Sequence, residues 1–183
     1  MNKIHIYVFL LVIQMMLIGD CMASWEPRKN LEELVNGSKL VVLGKTVKVN
    51  SQFVDRIEGP KRIVTYVEFS IKKLFKGSPN DNTVTVLIEG GQIGNLVIAG
   101  ERTFMFKMGD EALLFLDITN ENVYEISGIS GALKVTEKGN SQYFDCSMLA
   151  SDLITPSDGN VYVSASQVIN RVSQLLSKER VIK

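Results

Sequence analysis

From Lys39 to Asp145 the chain is built of short runs in which apolar residues recur at every second position, and the runs are separated by turn residues. A period of two suits a strand with one covered face and does not suit a helix. The clearest run is RIVTYVEFSIKKLFKG. Ile63, Val67, Phe69 and Ile71 share one side with the Thr65 methyl, and Tyr66, Glu68, Ser70 and Lys72 share the other. The phase slips at Lys72-Lys73, which predicts a bulge or the end of the strand. After a turn at Gly77-Ser78-Pro79-Asn80, Val84, Val86 and Ile88 alternate with Thr83, Thr85 and Leu87, so residues 62–75 and 83–89 are expected to pair as an antiparallel hairpin.

Upstream, KLVVLGKTVKV places Val41, Leu43, Val47 and Val49 on one side, with Lys45 interrupting the row and Gly44 marking a bend, a bulge or a close backbone approach. Residues 51–61 read as a polar connection. Gly90, Gly91, Gly94 and Gly100 punctuate a stretch that reads as a flexible crossover or exposed loop, with Leu96-Val97-Ile98 offering a short strand. Thr103–Phe106 and Glu111–Asp117 flank a turn at Gly109-Asp110, and the second run is apolar on both faces, which places it inside a sheet. VYEIS, LKVTE and QYFD supply further short strands, and residues 150–160 are rich in turn formers.

Helices are expected only at the two ends of this β-rich region. Asn30 and Glu33 form a capping-box pair ahead of Leu31, Leu34 and Val35, and Asn36-Gly37 suits the helix end. Asn36-Gly37-Ser38 also fits a glycosylation acceptor, a pattern short enough to arise in any turn. A second capping box at Ser164–Gln167 precedes a helix over about 165–179, with Ala165, Val168, Ile169, Val172, Leu175 and Leu176 in one stripe. The expected fold is mainly β: a small antiparallel barrel, with a sandwich as the alternative, carrying a short N-terminal helix and an amphipathic C-terminal helix that covers an open face.

Residues 4–18 form an almost unbroken apolar run, shorter than the ~20 residues that cross a bilayer comfortably. A secretory signal cut after Ala23 is the leading reading, with lipidation of Cys21 and an uncleaved anchor as alternatives. The expected location is secreted or extracytoplasmic, with membrane tethering through residues 4–18 or a lipid on Cys21. Loss of 23 residues would leave 160 of the 183, enough for one domain over 24–183 with its barrel core at about 39–137.

Charge and chemistry-bearing residues narrow the functional classes. Twenty basic residues balance twenty acidic ones, and the balance survives removal of Lys3 and Asp20, so no basic field favours nucleic acid as a partner. His5, the only histidine, lies in the leader, which excludes serine- or cysteine-triad chemistry from the remaining chain. Cys146 would then have no disulfide partner, and its neighbours Tyr143, Phe144, Met148 and Leu149 predict a buried, inert thiol. No cofactor loop is present, because the glycines of 90–100 fit neither dinucleotide nor phosphate patterns. Asp152, Asp158 and Asn160 do not reproduce a calcium loop, so no metal site is expected. Glu89, Asp110 and Glu111 are candidates for paired catalytic carboxylates, with surface acids at strand ends as the simpler reading.

LEELVNGSKLVVLGKTVKV, VTYVEFSIKKLFKG, VTVLIEGG and FKMGDEALLFL follow one another in an order that resembles secreted bacterial and archaeal proteins related to the tissue inhibitors of metalloproteinases and the netrin module. The resemblance covers roughly residues 31–117 and continues more loosely through 122–136 and the terminal helix. It implies an oligonucleotide/oligosaccharide-binding barrel, hence a small antiparallel OB-like barrel here. In the animal inhibitors an N-terminal cysteine presents its amine and carbonyl to the target's zinc, and Cys21 is the only matching position. The expected function is a noncatalytic extracellular or envelope-associated interaction module rather than an enzyme, acting on another protein or an envelope component. An inhibitor of a secreted or membrane hydrolase is the alternative, and a carboxylate-dependent hydrolase comes third. The candidate interaction surface is Tyr66, Glu68, Lys72, Glu89, Gly91 and Gly94. Cys21 and Ala23 are the candidate processing or lipidation positions.

Overall fold

A computed structural model describes residues 27–55, 61–99, 104–120, 123–150 and 161–181. The apolar run 4–18, Cys21 and Ala23 lie outside these residues, as do Asp152, Asp158 and Asn160. No helix among the described residues is long and apolar enough to cross a membrane. Helix α1 (Leu31–Gly37) starts on the expected reciprocal cap: Asn30 Oδ1 accepts from Glu33 N at 2.9 Å, and Glu33 Oε2 accepts from Asn30 N at 2.8 Å. Leu31, Leu34 and Val35 are completely buried.

Strands β1 (Leu40–Val54) and β2 (Arg62–Lys76) pair along almost their whole lengths, from Val41 opposite Lys76 to Val54 opposite Arg62. The connection expected at 51–61 is therefore strand as far as Val54. Strand β3 (Thr83–Ile93) pairs with β2 from Ser70 opposite Thr83 to Val64 opposite Glu89, the hairpin expected from the alternation. The glycine-rich stretch is strand rather than loop over most of its described residues, while Gly100 lies outside them. Strand β3 continues through Gly90 and Gly91 to Ile93, and β4 (Leu96–Ala99) folds back on it with Ile93 opposite Leu96.

Strand β5 (Glu111–Asn120) pairs with the first half of β1, from Leu40 opposite Leu116 to Lys45 opposite Glu111. Strand β6 (Val123–Ile126) lies antiparallel to β5 and parallel to β3. Strands β7 (Ala132–Lys138), β8 (Ser141–Asp145) and β9 (Tyr162–Ser164) extend the sheet from β5 by successive antiparallel pairings. Helix α2 (Ala165–Val181) follows at once. Phe104–Phe106, expected in a strand, is not one. Phe106 instead enters the core edge-on to Phe69, with ring centroids 5.1 Å apart.

The expectation of a small antiparallel OB-like barrel is overturned by this topology. The sheet has nine strands, is mixed through the parallel β3/β6 pair, and continues through β7, β8 and β9 to end there, so as a whole it does not close as a barrel. The tissue-inhibitor-like and netrin-like barrel assignments fall with it. Alternation specifies that a strand has a covered face but leaves its neighbours open. Leu133, Phe144 and Val163 on the added strands bury themselves under helices rather than inside a closed ring of strands.

Two apolar clusters result, one on each side of the sheet. One joins Leu31, Leu34 and Val35 of α1 and Val168, Val172 and Leu175 of α2 to Val41, Leu113, Phe115 and Phe144. The other contains Leu40, Val42, Val67, Phe69, Val84, Val86, Ala112, Leu114 and Leu116. Strands β1 and β5 feed both clusters, which confirms the reading of 111–117 as sheet interior. In β1 the single row expected from Val41 to Val49 does not hold: Leu40 to Val42 are buried on both sides, whereas Val47 and Val49 are exposed. Leu175→Ala should lower stability by about 2–4 kcal/mol, read as a drop in Tm with the far-ultraviolet signal below the transition unchanged.

Candidate functional site

In β2 the odd positions Ile63, Thr65, Val67 and Phe69 are buried on one face, and Arg62, Val64, Tyr66 and Glu68 alternate with them on the opposite, outer face, where Val64 is buried too. Register carries that face across the sheet. Tyr66 stands opposite Leu87 on β3, and Leu87 stands beside Glu125 on the parallel strand β6. Glu68, Thr85 and Val123 form the adjacent row. Tyr66, Glu68 and Leu87 are half-buried and Glu125 is exposed.

Beside the first row lies a cleft of about 270 Å³. Val64, Leu87, Ile88, Phe104 and Ile126 give it apolar walls, and Arg62, Glu89 and Glu125 give it charge. Arg62 Nη1 donates to Glu89 Oε1 at 2.6 Å. The Glu125 side chain has no ion pair or hydrogen bond among the described residues. Phe104 is held by stacking on Phe106, with ring centroids 6.3 Å apart.

Of the residues singled out from sequence, the fold brings Tyr66, Glu68 and Glu89 to this face and separates the other three. Lys72, past the centre of β2, forms an ion pair with Glu111. Gly94 lies in the turn between β3 and β4, where its carbonyl accepts from Gln92 Nε2 at 2.9 Å. Gly91 is a packing position. Its φ is +139°, and a Cβ there would come within 2.0 Å of Thr65 Oγ1 and 2.9 Å of Ser51 Oγ. Those hydroxyls are themselves engaged, Ser51 with Thr65 at 2.8 Å and Thr65 donating to Gly90 O at 2.7 Å. Gly91→Ala should therefore cost about 2–3 kcal/mol, visible in chemical denaturation, because it combines backbone strain with a clash against the Thr65 and Ser51 hydroxyls.

Arg62, Val64, Leu87, Phe104, Glu125, Ile126 and Gly128 were not marked by sequence reasoning, although they line the cleft. Leu87 carried a usable signal, since it lies in the Thr83/Thr85/Leu87 row opposite the core-facing valines. Glu125 carried none, because only the parallel β3/β6 register brings it beside Leu87.

Each of the three candidate acids is held by a cation. Glu89 is engaged by Arg62, Glu111 by Lys72, and Asp110 by Lys134 at 2.9 Å. No group of three or more His, Cys, Asp or Glu side chains among the described residues is arranged to hold a metal ion. Cys146 is buried, and burial, with help from the Asp145 charge, pushes its thiol up to about 12, so the nucleophilic thiolate is scarcely populated at neutral pH.

Asp110 anchors the entry to β5. Its Oδ2 accepts from Lys107 N at 2.9 Å and from Lys134 Nζ, whose ammonium also lies over the Phe106 ring at 4.8 Å and donates to the Met105 carbonyl. Burial pushes the Asp110 carboxyl up, but the Lys107 N–H and Lys134 outweigh it and hold the group below the ordinary 3.8. A depressed carboxyl contributes stability that is complete above its unfolded value and is lost as pH falls through its folded one. Asp110→Asn should cost about 0.5–1 kcal/mol at pH 7, and the gap from the unaltered protein should close below about pH 4 in pH-dependent urea titrations.

No family model matches the chain, and no curated protein matches it significantly.

Proposed function

We propose that the chain is a noncatalytic interaction module that works outside the cytoplasm, in the extracellular space or at the cell envelope, with the outer face of β2, β3 and β6 as its working surface. One observation carries this reading. On strands whose other face is wholly committed to the core, Tyr66 and Leu87 remain half-exposed beside an apolar-walled cleft. An aromatic and an aliphatic side chain kept together on the solvent side of a sheet, next to a concavity rimmed by charge, fit the anchor-and-rim pattern of protein recognition surfaces. The dispersal of the carboxylates onto separate cations and the inert Cys146 thiol favour binding over turnover.

The test is crosslinking and co-purification from the native host. Tyr66→Ala combined with Leu87→Ser, with Tm held within a few degrees, should reduce recovery of a specific partner about tenfold, whereas Glu32→Gln on α1 should not. Full recovery with the folded double variant would remove the surface from the proposal.

A further inference from the structure

We infer that this surface takes a lysine or arginine side chain from an extended segment of a partner protein, a reading that rests on the interaction surface proposed above. Charge gives the first argument. In the rows around the cleft the outer face holds Glu68, Glu89 and Glu125 against the guanidinium of Arg62 and the ammonium of Lys48, which stands opposite Glu68 on β1. Arg62 is engaged with Glu89 at 2.6 Å, and no cation among the described residues pairs with Glu125 at the edge of the cleft. Among the described residues these three carboxylates outnumber the two cations by one, although the chain as a whole is neutral.

The second argument is the order of side chains across the strands: aromatic, aliphatic, carboxylate. Tyr66 is opposite Leu87, and Leu87 is beside Glu125. A basic side chain is itself an apolar stem ending in a cation, and such a chain buries its methylenes while its head stays with a polar partner. Laid on Leu87, its stem meets the Tyr66 ring on one side, and its charged head reaches Glu125 on the other, where a charge-assisted hydrogen bond forms. A purely apolar guest would cover Glu125 without pairing it, which costs the solvation of the carboxylate. An acidic guest would meet three carboxylates.

Fluorescence anisotropy on the full chain tests this with a fluorescein-labelled Gly-Ser-Arg-Ser-Gly peptide and its lysine, norleucine and glutamate counterparts. The arginine and lysine peptides should bind at least about fivefold more tightly than the norleucine peptide, and the glutamate peptide should not bind. Glu125→Gln should weaken the arginine peptide about fivefold and leave the norleucine peptide unchanged, and Glu32→Gln should change neither. Equal binding of the arginine and norleucine peptides, or no effect of Glu125→Gln, overturns the inference. If the Tyr66/Leu87 double variant still loses its partner in that case, the surface stands and only its preference for a cation is rejected. If the double variant keeps its partner, both readings fail.

Discussion

The first half of β1 is held on both edges, by β2 on one side and β5 on the other, and the architecture depends on that double pairing. A strand with neighbours on both edges has its backbone groups satisfied and can be apolar on both faces. Leu40 to Val42 use this freedom, sending Val41 towards the helices and Leu40 and Val42 into the opposite cluster. Strand β5 does the same with Leu113 and Phe115 against Ala112, Leu114 and Leu116. These two strands stitch the clusters into one cooperative body, and helices α1 and α2 need to cover only one side of it.

Past Lys45, β1 leaves β5 and stays with β2 alone. The change coincides with register shifts on either side of Gly44 to Lys48, where a Cβ on Gly44 would come within 3.0 Å of Phe69 Cβ. Extra residues of this kind bend a strand and increase its twist. The far half of the β1/β2 hairpin is thereby free of the helices, and the outer face of β2, β3 and β6 is left uncovered by them. The core and the candidate surface are thus the two faces of the same strands.

Much of this was legible from single residues. The alternation in RIVTYVEFSIKK put Ile63, Thr65, Val67 and Phe69 inside and Tyr66 and Glu68 outside, and the structure keeps that division. The capping pair Asn30/Glu33 and the stripe Val168, Val172, Leu175 were readable because their interactions are local. What failed was non-local. The parallel β3/β6 pair joins segments far apart in sequence, so neither the mixed sheet nor the place of Glu125 could be read from periodicity. Gly91 misled for another reason: absence of a side chain signals either freedom or crowding, and beside Thr65 and Ser51 it means crowding. Lys72 looked like part of the Tyr66 face until the phase slip after it, and its ion pair with Glu111 ties it to the β5 side instead.

The row structure of the outer face also sets a direction for whatever lies on it. Along a strand, side chains on one face recur about every 6.8 Å, while neighbouring strands stand about 4.8 Å apart. An extended guest has the same 6.8 Å repeat. Aligned with β2, β3 and β6, alternate guest residues fall in step with successive rows, from Val64/Glu89 through Tyr66/Leu87/Glu125 to Glu68/Thr85/Val123. Turned across the strands, it drifts out of step within two residues. The sheet acts as a ruler, and the natural unit it measures is every second residue of a parallel or antiparallel companion segment.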